Sequence, residues 1–143
     1  MNYFENLTSD SMADLVAGAE RSVCFASPGL HDSLAKAIVA KAAKIGSELI
    51  TVCVDFDERI FRMGFGTLEA VHALRQVGIS VTTTPGLRMG LLIVDDQGFI
   101  FTPTALLLDG ESNNGRGMNA MRLMPAQAKE AMARLSPAAK AVA

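Results

Sequence analysis

Residues 91–102, Leu91-Leu92-Ile93-Val94-Asp95-Asp96-Gln97-Gly98-Phe99-Ile100-Phe101-Thr102, place two apolar runs on either side of a short polar break. Each run is too short for a helix, and the break is made of turn-forming residues, so the stretch predicts a buried antiparallel hairpin over 91–94 and 99–102. Upstream the pattern changes. Residues 22–27 and 48–54 are compact apolar runs that read as strands, and 79–83 is a third. Between them lie two helical patterns. Leu34, Ile38, Ala42 and Ile45 recur at helical spacing before Gly46, and Leu68, Val71, Leu74 and Val77 do so before Gly78. Strand and helix thus alternate from 21 to 83, which calls for parallel strands joined by crossovers. With the hairpin added, the expectation is an α/β domain with a mixed, mostly parallel sheet flanked by helices on both faces.

The ends of the chain extend this reading. Thr8-Ser9-Asp10-Ser11 offers N-caps for a helix through about Ala19, with Met12, Leu15, Val16 and Ala19 on one face. Residues 105–108 fit a further strand, 109–117 a loop, and 118–124 neither helix nor strand clearly. Pro125 opens a last helix to about Leu135, with Ala128, Ala131, Met132 and Leu135 inward. Residues 1–135 therefore make one domain, and 136–143 a flexible, Ala-rich tail or linker to a C-terminal region.

The 143 residues are half apolar and one-fifth charged, the balance of a packed globular chain. Mean hydropathy is +0.27, yet no apolar run approaches the ~18 residues that span a bilayer. The start has no basic segment followed by an apolar core, so a soluble, cytoplasmic protein is expected. A net charge of -2 denies the chain a global attraction to nucleic acid or anionic lipid. Cys24 and Cys53 lie inside apolar strands without metal-ligand spacing and read as buried free thiols. Eight methionines, four of them at 118, 121, 124 and 132, are expected to fill core gaps, with an adaptable interaction surface as the other reading.

Taken in order, DLVAGAERSV (14–23), ASPGL (26–30), LAKAIVAKAAKIGSELITVCVD (34–55), LEAVHALRQVGISVTTTPG (68–86) and LLIVDDQGFIFTPT (91–104) resemble the phospholipase D-like family over roughly residues 7–108. That family carries H-x-K-x-x-x-x-D at this hairpin. In the present chain Arg88 stands at the His position, Gly90 at the Lys position, and Asp95 alone is kept. A phosphohistidine intermediate needs a neutral imidazole, which a permanently charged guanidinium cannot supply. Neither His31 nor His72 starts an H-x-K, and the family's G-S-x-x-N frame falls on residues 102–106, where it is also lost. The resemblance implies a phospholipase D-like domain without catalysis or cofactor, paired as a homodimer. Its remaining role would be association, or holding a phosphate-bearing ligand such as a nucleic acid.

For that ligand the side chains of interest are Arg88, which can fork onto phosphate, Asp95, Thr102, Thr104, and His31 at a strand exit. Asp95 and Asp96 also suit a hairpin turn. Two alternatives stand beside this reading. Asp55-Phe56-Asp57 after an apolar strand has the form of a D-x-D Mg-dependent phosphohydrolase, although Arg59 replaces the expected Thr or Val. Alternatively the chain is half of a phosphodiesterase whose active motif lies in another domain.

Overall fold

The computed structural model describes residues 3–103, 118–138 and 140–141. Among the described residues eight strands, numbered in chain order, form one sheet in the order β1-β7-β6-β5-β2-β3-β4-β8. The centre is β2 (Val23–Ala26), which pairs in parallel with β3 (Ile50–Val54) on one side and antiparallel with β5 (Gly90–Val94) on the other. Beyond β3 lies β4 (Val81–Thr83), also parallel. Beyond β5 the chain meanders through β6 (Gln97–Phe101) and β7 (Ala120–Leu123) to β1 (Phe4–Glu5) at the edge.

The expectation of a mostly parallel sheet is therefore corrected. Among the described residues only the β2–β3 and β3–β4 pairings are parallel. The α/β alternation ends at β4; the hairpin then returns to the free side of β2, and each later strand folds back on its neighbour. The hairpin itself is tighter than its sequence implies. Val94 pairs with Gln97, which leaves Asp95-Asp96 as the whole turn.

Helices cover both faces, as expected. On one face α1 (Ser9–Ala17), α2 (Asp32–Ile45) and α4 (Leu68–Gln76) bury Met12, Val16, Leu34, Ile38, Val71 and Leu74 against Val23, Phe25, Val52, Leu92 and Phe99. Thr8 caps α1 with its hydroxyl on the Ser11 N–H, and Thr67 caps α4. On the other face α5 (Pro125–Ala138) lays Ala128 over Gly98 and adds Ala131 to a smaller cluster with Cys24, Ala26, Cys53, Leu91 and Ile93. Met132, read as an inward residue, is instead 40% exposed, because α5 packs through its small residues.

Among the elements not anticipated are β7, β1, the one-turn helix α3 (Glu58–Arg62) after β3, and β8 (Lys140–Ala141), which pairs with Thr83 and Thr82 of β4. α5 continues to Ala138, so residues 136–138 and 140–141 lie in regular structure where a flexible tail was expected. The strand expected at 105–108 and the loop at 109–117 lie outside the described residues. Cys24 and Cys53 are free and buried, and burial, with the neighbouring Cys53, pushes the Cys24 thiol up to about 11.

One buried charge ties the first helical layer together. Lys41 of α2 is 6% exposed and its ammonium donates to the carbonyls of Ala17 and Ala19, both at 2.8 Å. These carbonyls end α1, where the helix dipole favours a cation. Lys41→Met keeps the aliphatic stem and strands both acceptors. A loss of about 1–3 kcal/mol is expected, read as a lower urea midpoint with unchanged slope.

Candidate functional site

Of the residues singled out for phosphate chemistry, Arg88, Asp55, His31 and Thr102 lie at one end of the sheet, where β2 and β3 exit, β5 enters and β6 exits, but they do not make one site. Arg88 lies just before β5. Its Nη1 reaches Asp55 Oδ2 at 2.8 Å and the Leu87 carbonyl at 2.9 Å, and the Gly86 N–H donates to the same carboxylate oxygen at 3.1 Å. The Asp55 side chain is 5% exposed and the Arg88 side chain 63%. The ion pair thus serves a buried carboxylate at the end of β3, which would be costly without a counter-charge. The guanidinium is held by protein in the place where a phosphate would have to compete for it.

Asp57 faces elsewhere. It caps α3, accepting from the Arg59 N–H at 2.9 Å and from the Arg59 guanidinium at 2.8 Å. The Arg59 side chain, and after it the Arg59 N–H, hold the Asp57 carboxyl down to about 2. Asp55 and Asp57 are therefore each engaged by a separate arginine. Among the described residues no group of three His, Cys, Asp or Glu converges as a metal site.

Asp95 sits at the opposite end of β5 from Arg88, about 17 Å along the five-residue strand. Its carboxylate accepts the backbone N–H groups of Glu20 (3.1 Å), Arg21 (2.7 Å) and Ser22 (3.1 Å). Burial alone would raise its pKa, but the three N–H bonds together outweigh it and hold the carboxyl below the ordinary value of 3.8. Asp95 anchors the α1–β2 connection to the hairpin turn.

His31 and Thr102 do come together, although 71 positions separate them in the chain. With Ser9, Ser27, Gly29 and Phe101 they line a small cavity outside the carboxyl end of β2, at the N-terminus of α2. This is where β2 has a parallel neighbour on one side and an antiparallel one on the other, a place where open α/β sheets bind ligands. Its space is about 20 Å³, room for little more than one water, and among the described residues no Lys or Arg lines it. A Cβ at position 90 would overlap the ring of Phe101, which stacks on Phe25 at 6.2 Å. Thr104 lies outside the described residues.

A second crossing closes the same end of the sheet. A Cβ on Gly29 would overlap the Phe65 carbonyl, so the segment between α3 and α4 runs directly over the β2–α2 loop, fixed by the Thr67 N–H to Leu30 carbonyl bond of 3.1 Å.

A more open apolar surface lies elsewhere, and it matches the second reading of the late methionines, an adaptable surface, and not the favoured one, core filling. Phe4, Met89, Ile100, Met118 and Met121 line an open groove of about 360 Å³ on the sheet face that α5 leaves bare. Met118, Met121 and Met124 are 73%, 40% and 66% exposed, so the late methionines are surface and not core filling. Strand alternation was the available signal. Phe4, Met121 and Ile100 are cross-strand partners on one face, while Arg122 points to the other, over the Phe99 ring at 4.8 Å.

These features define a mixed α/β domain whose strand-end cavity is plugged and whose open face is apolar. No family model matches the chain, and no curated protein does. Among solved structures it is similar to TrmBL2, described as an archaeal chromatin protein with a novel mode of DNA binding. The TM-score is 0.55 at 10% identity, over 99% of this chain and 55% of that one, so the likeness is one of fold. The chain spans little more than half the length of that neighbour. No helix among the described residues is long and apolar enough to cross a membrane.

Proposed function

We propose that the chain is a degenerate phospholipase D-like domain that has lost catalysis and works by association. The observation that carries this reading is Gly90. The position that holds the family's phosphate-binding lysine has no side chain, and Phe101 occupies the space one would need. Arg88 and Asp95 support it, since each is bound to groups of the protein itself. A second reading, contact with nucleic acid as part of a longer protein, is favoured by the likeness to a DNA-binding chromatin protein.

One set of measurements tests both. The chain is expected to leave a chromogenic phosphodiester and single- and double-stranded DNA uncleaved, with or without Mg²⁺. Turnover that disappears in Arg88→Ala would sink the non-catalytic reading. Titration with short single-stranded DNA, comparing the parent with Arg88→Gln, is expected to give equal and weak signals. Salt-sensitive binding lost in Arg88→Gln would move the function to phosphate recognition.

A further inference from the structure

We infer that α5 and β8 form a strap that opens as one unit from an otherwise intact sheet and bares Cys24 and Cys53. The inference goes beyond the non-catalytic reading and does not rest on it. Three contacts set the path of the strap. Ala128 lies on Gly98 of β6, Ala131 joins the cluster of Cys24, Cys53, Leu91 and Ile93, and Lys140 and Ala141 pair with Thr83 and Thr82 of β4. The 14-residue helix is about 21 Å long, and β6 lies four strand spacings, or about 19 Å, from β4. α5 therefore lies across the strands and delivers β8 to the β4 edge.

Little holds it down. Between residues 126 and 134 only Ala128 is buried and Ala131 half-buried, so the helix grips the sheet through methyl groups. The helices of the opposite face insert Met12, Val16, Leu34, Ile38, Val71 and Leu74, each of which removes far more apolar surface from water. The cluster under α5 is also separate from that larger core, so it can open while the larger one stays packed. Once lifted, the segment keeps its helix, because alanine has the highest helix propensity and Glu130 pairs with Arg134 one turn on at 3.7 Å. The clasp is β8, two residues on an edge strand. While the strap is closed the thiols are inert: both are buried, and burial pushes Cys24 up to about 11, which leaves little thiolate at neutral pH. Opening returns water to them and with it their reactivity.

Thiol labelling of the native full chain with dithionitrobenzoate tests this. The cysteine thiolate attacks one sulfur of the probe, the probe's S–S bond breaks, and a coloured nitrothiobenzoate anion leaves. Both thiols are expected to react at least about tenfold faster than global unfolding allows, with a urea slope well below the global one; Cys24→Ala and Cys53→Ala assign the two signals. Lys41→Met, which loosens α1 from α2 on the opposite face and lowers the urea midpoint, should leave the labelling rate unchanged. Lys140→Pro with Ala141→Pro removes both backbone donors of β8 and should speed labelling about tenfold. Labelling that follows the global urea slope and quickens in Lys41→Met overturns the inference, since the thiols are then reached only by unfolding the whole chain. Labelling of one cysteine alone, or a rate indifferent to the two prolines, overturns it as well. Should the proline variant fail to fold, hydrogen exchange of the parent decides: the amides of the β4–β8 pair should open with the same equilibrium constant as the thiols, and a different one overturns the single unit.

Discussion

Gly90→Ala is expected to lower stability by about 1–3 kcal/mol, and Gly90→Lys by more, although both replace a glycine in a strand where a side chain normally helps. The reason is local. The added Cβ overlaps the ring of Phe101, which is itself 6% exposed and stacked on Phe25, so the ring has to give up that packing to make room. A lysine would also bring a longer, charged side chain to a buried strand position. The double replacement Arg88→His with Gly90→Lys therefore restores the family's letters without restoring turnover. Urea unfolding in a double-mutant cycle with Phe101→Ala gives the check: with the ring removed, Gly90→Ala should cost little. Additive losses would mean that the ring does not fill the position.

Asp95→Ala is expected to cost about 2–4 kcal/mol. It removes the acceptor of three N–H groups at once and leaves alanine at φ 55, a conformation that non-glycine residues adopt rarely. Asp95→Asn should lose less, since one oxygen remains. The pH dependence follows from the direction of the shift. The folded carboxyl titrates below its ordinary value of 3.8, so its contribution is complete above that value and is lost as pH falls through the folded pKa. The stability gap between parent and Asp95→Ala should be constant from neutral pH down to about 5 and narrow in more acid solution. A gap that stays constant through pH 2 would show that the charge of Asp95 is not what the three N–H groups recognise. Asp57, held to about 2, titrates in the same acid range and must be kept in both proteins.

Most of the architecture was legible in the residues. Leu34, Ile38 and Ala42 at helical spacing, Thr8 as a cap, and the apolar runs of β2 and β3 each carry a short-range signal strong enough to place an element. β7 was not legible. Its four residues, Ala120-Met121-Arg122-Leu123, have no β-branched member, and a methionine fits helix, strand or surface equally. The short pieces α3, β1 and β8 were missed because two to five residues leave too little periodicity to read. The site was legible only as a list of losses. That Arg88 and Gly90 take the His and Lys places of the phospholipase D-like frame is what the resemblance implies; that Arg88 turns to Asp55, that Phe101 fills the space above Gly90, and that Asp95 lies a full strand away is not legible in the sequence.

By itself, then, the sequence determined the alternating strands and helices up to Thr83 and the hairpin that makes the sheet mixed, because both depend on residue type and near-neighbour spacing. Tertiary structure alone decided that antiparallel pairings predominate, that His31 and Thr102 share one cavity, and that Phe4, Met89 and Met121 share one open face. Those outcomes depend on which strand edges remain free after β2 and β3 have paired, and on how far α5 reaches across the sheet. Both are properties of long-range packing, which spacing along the chain does not encode.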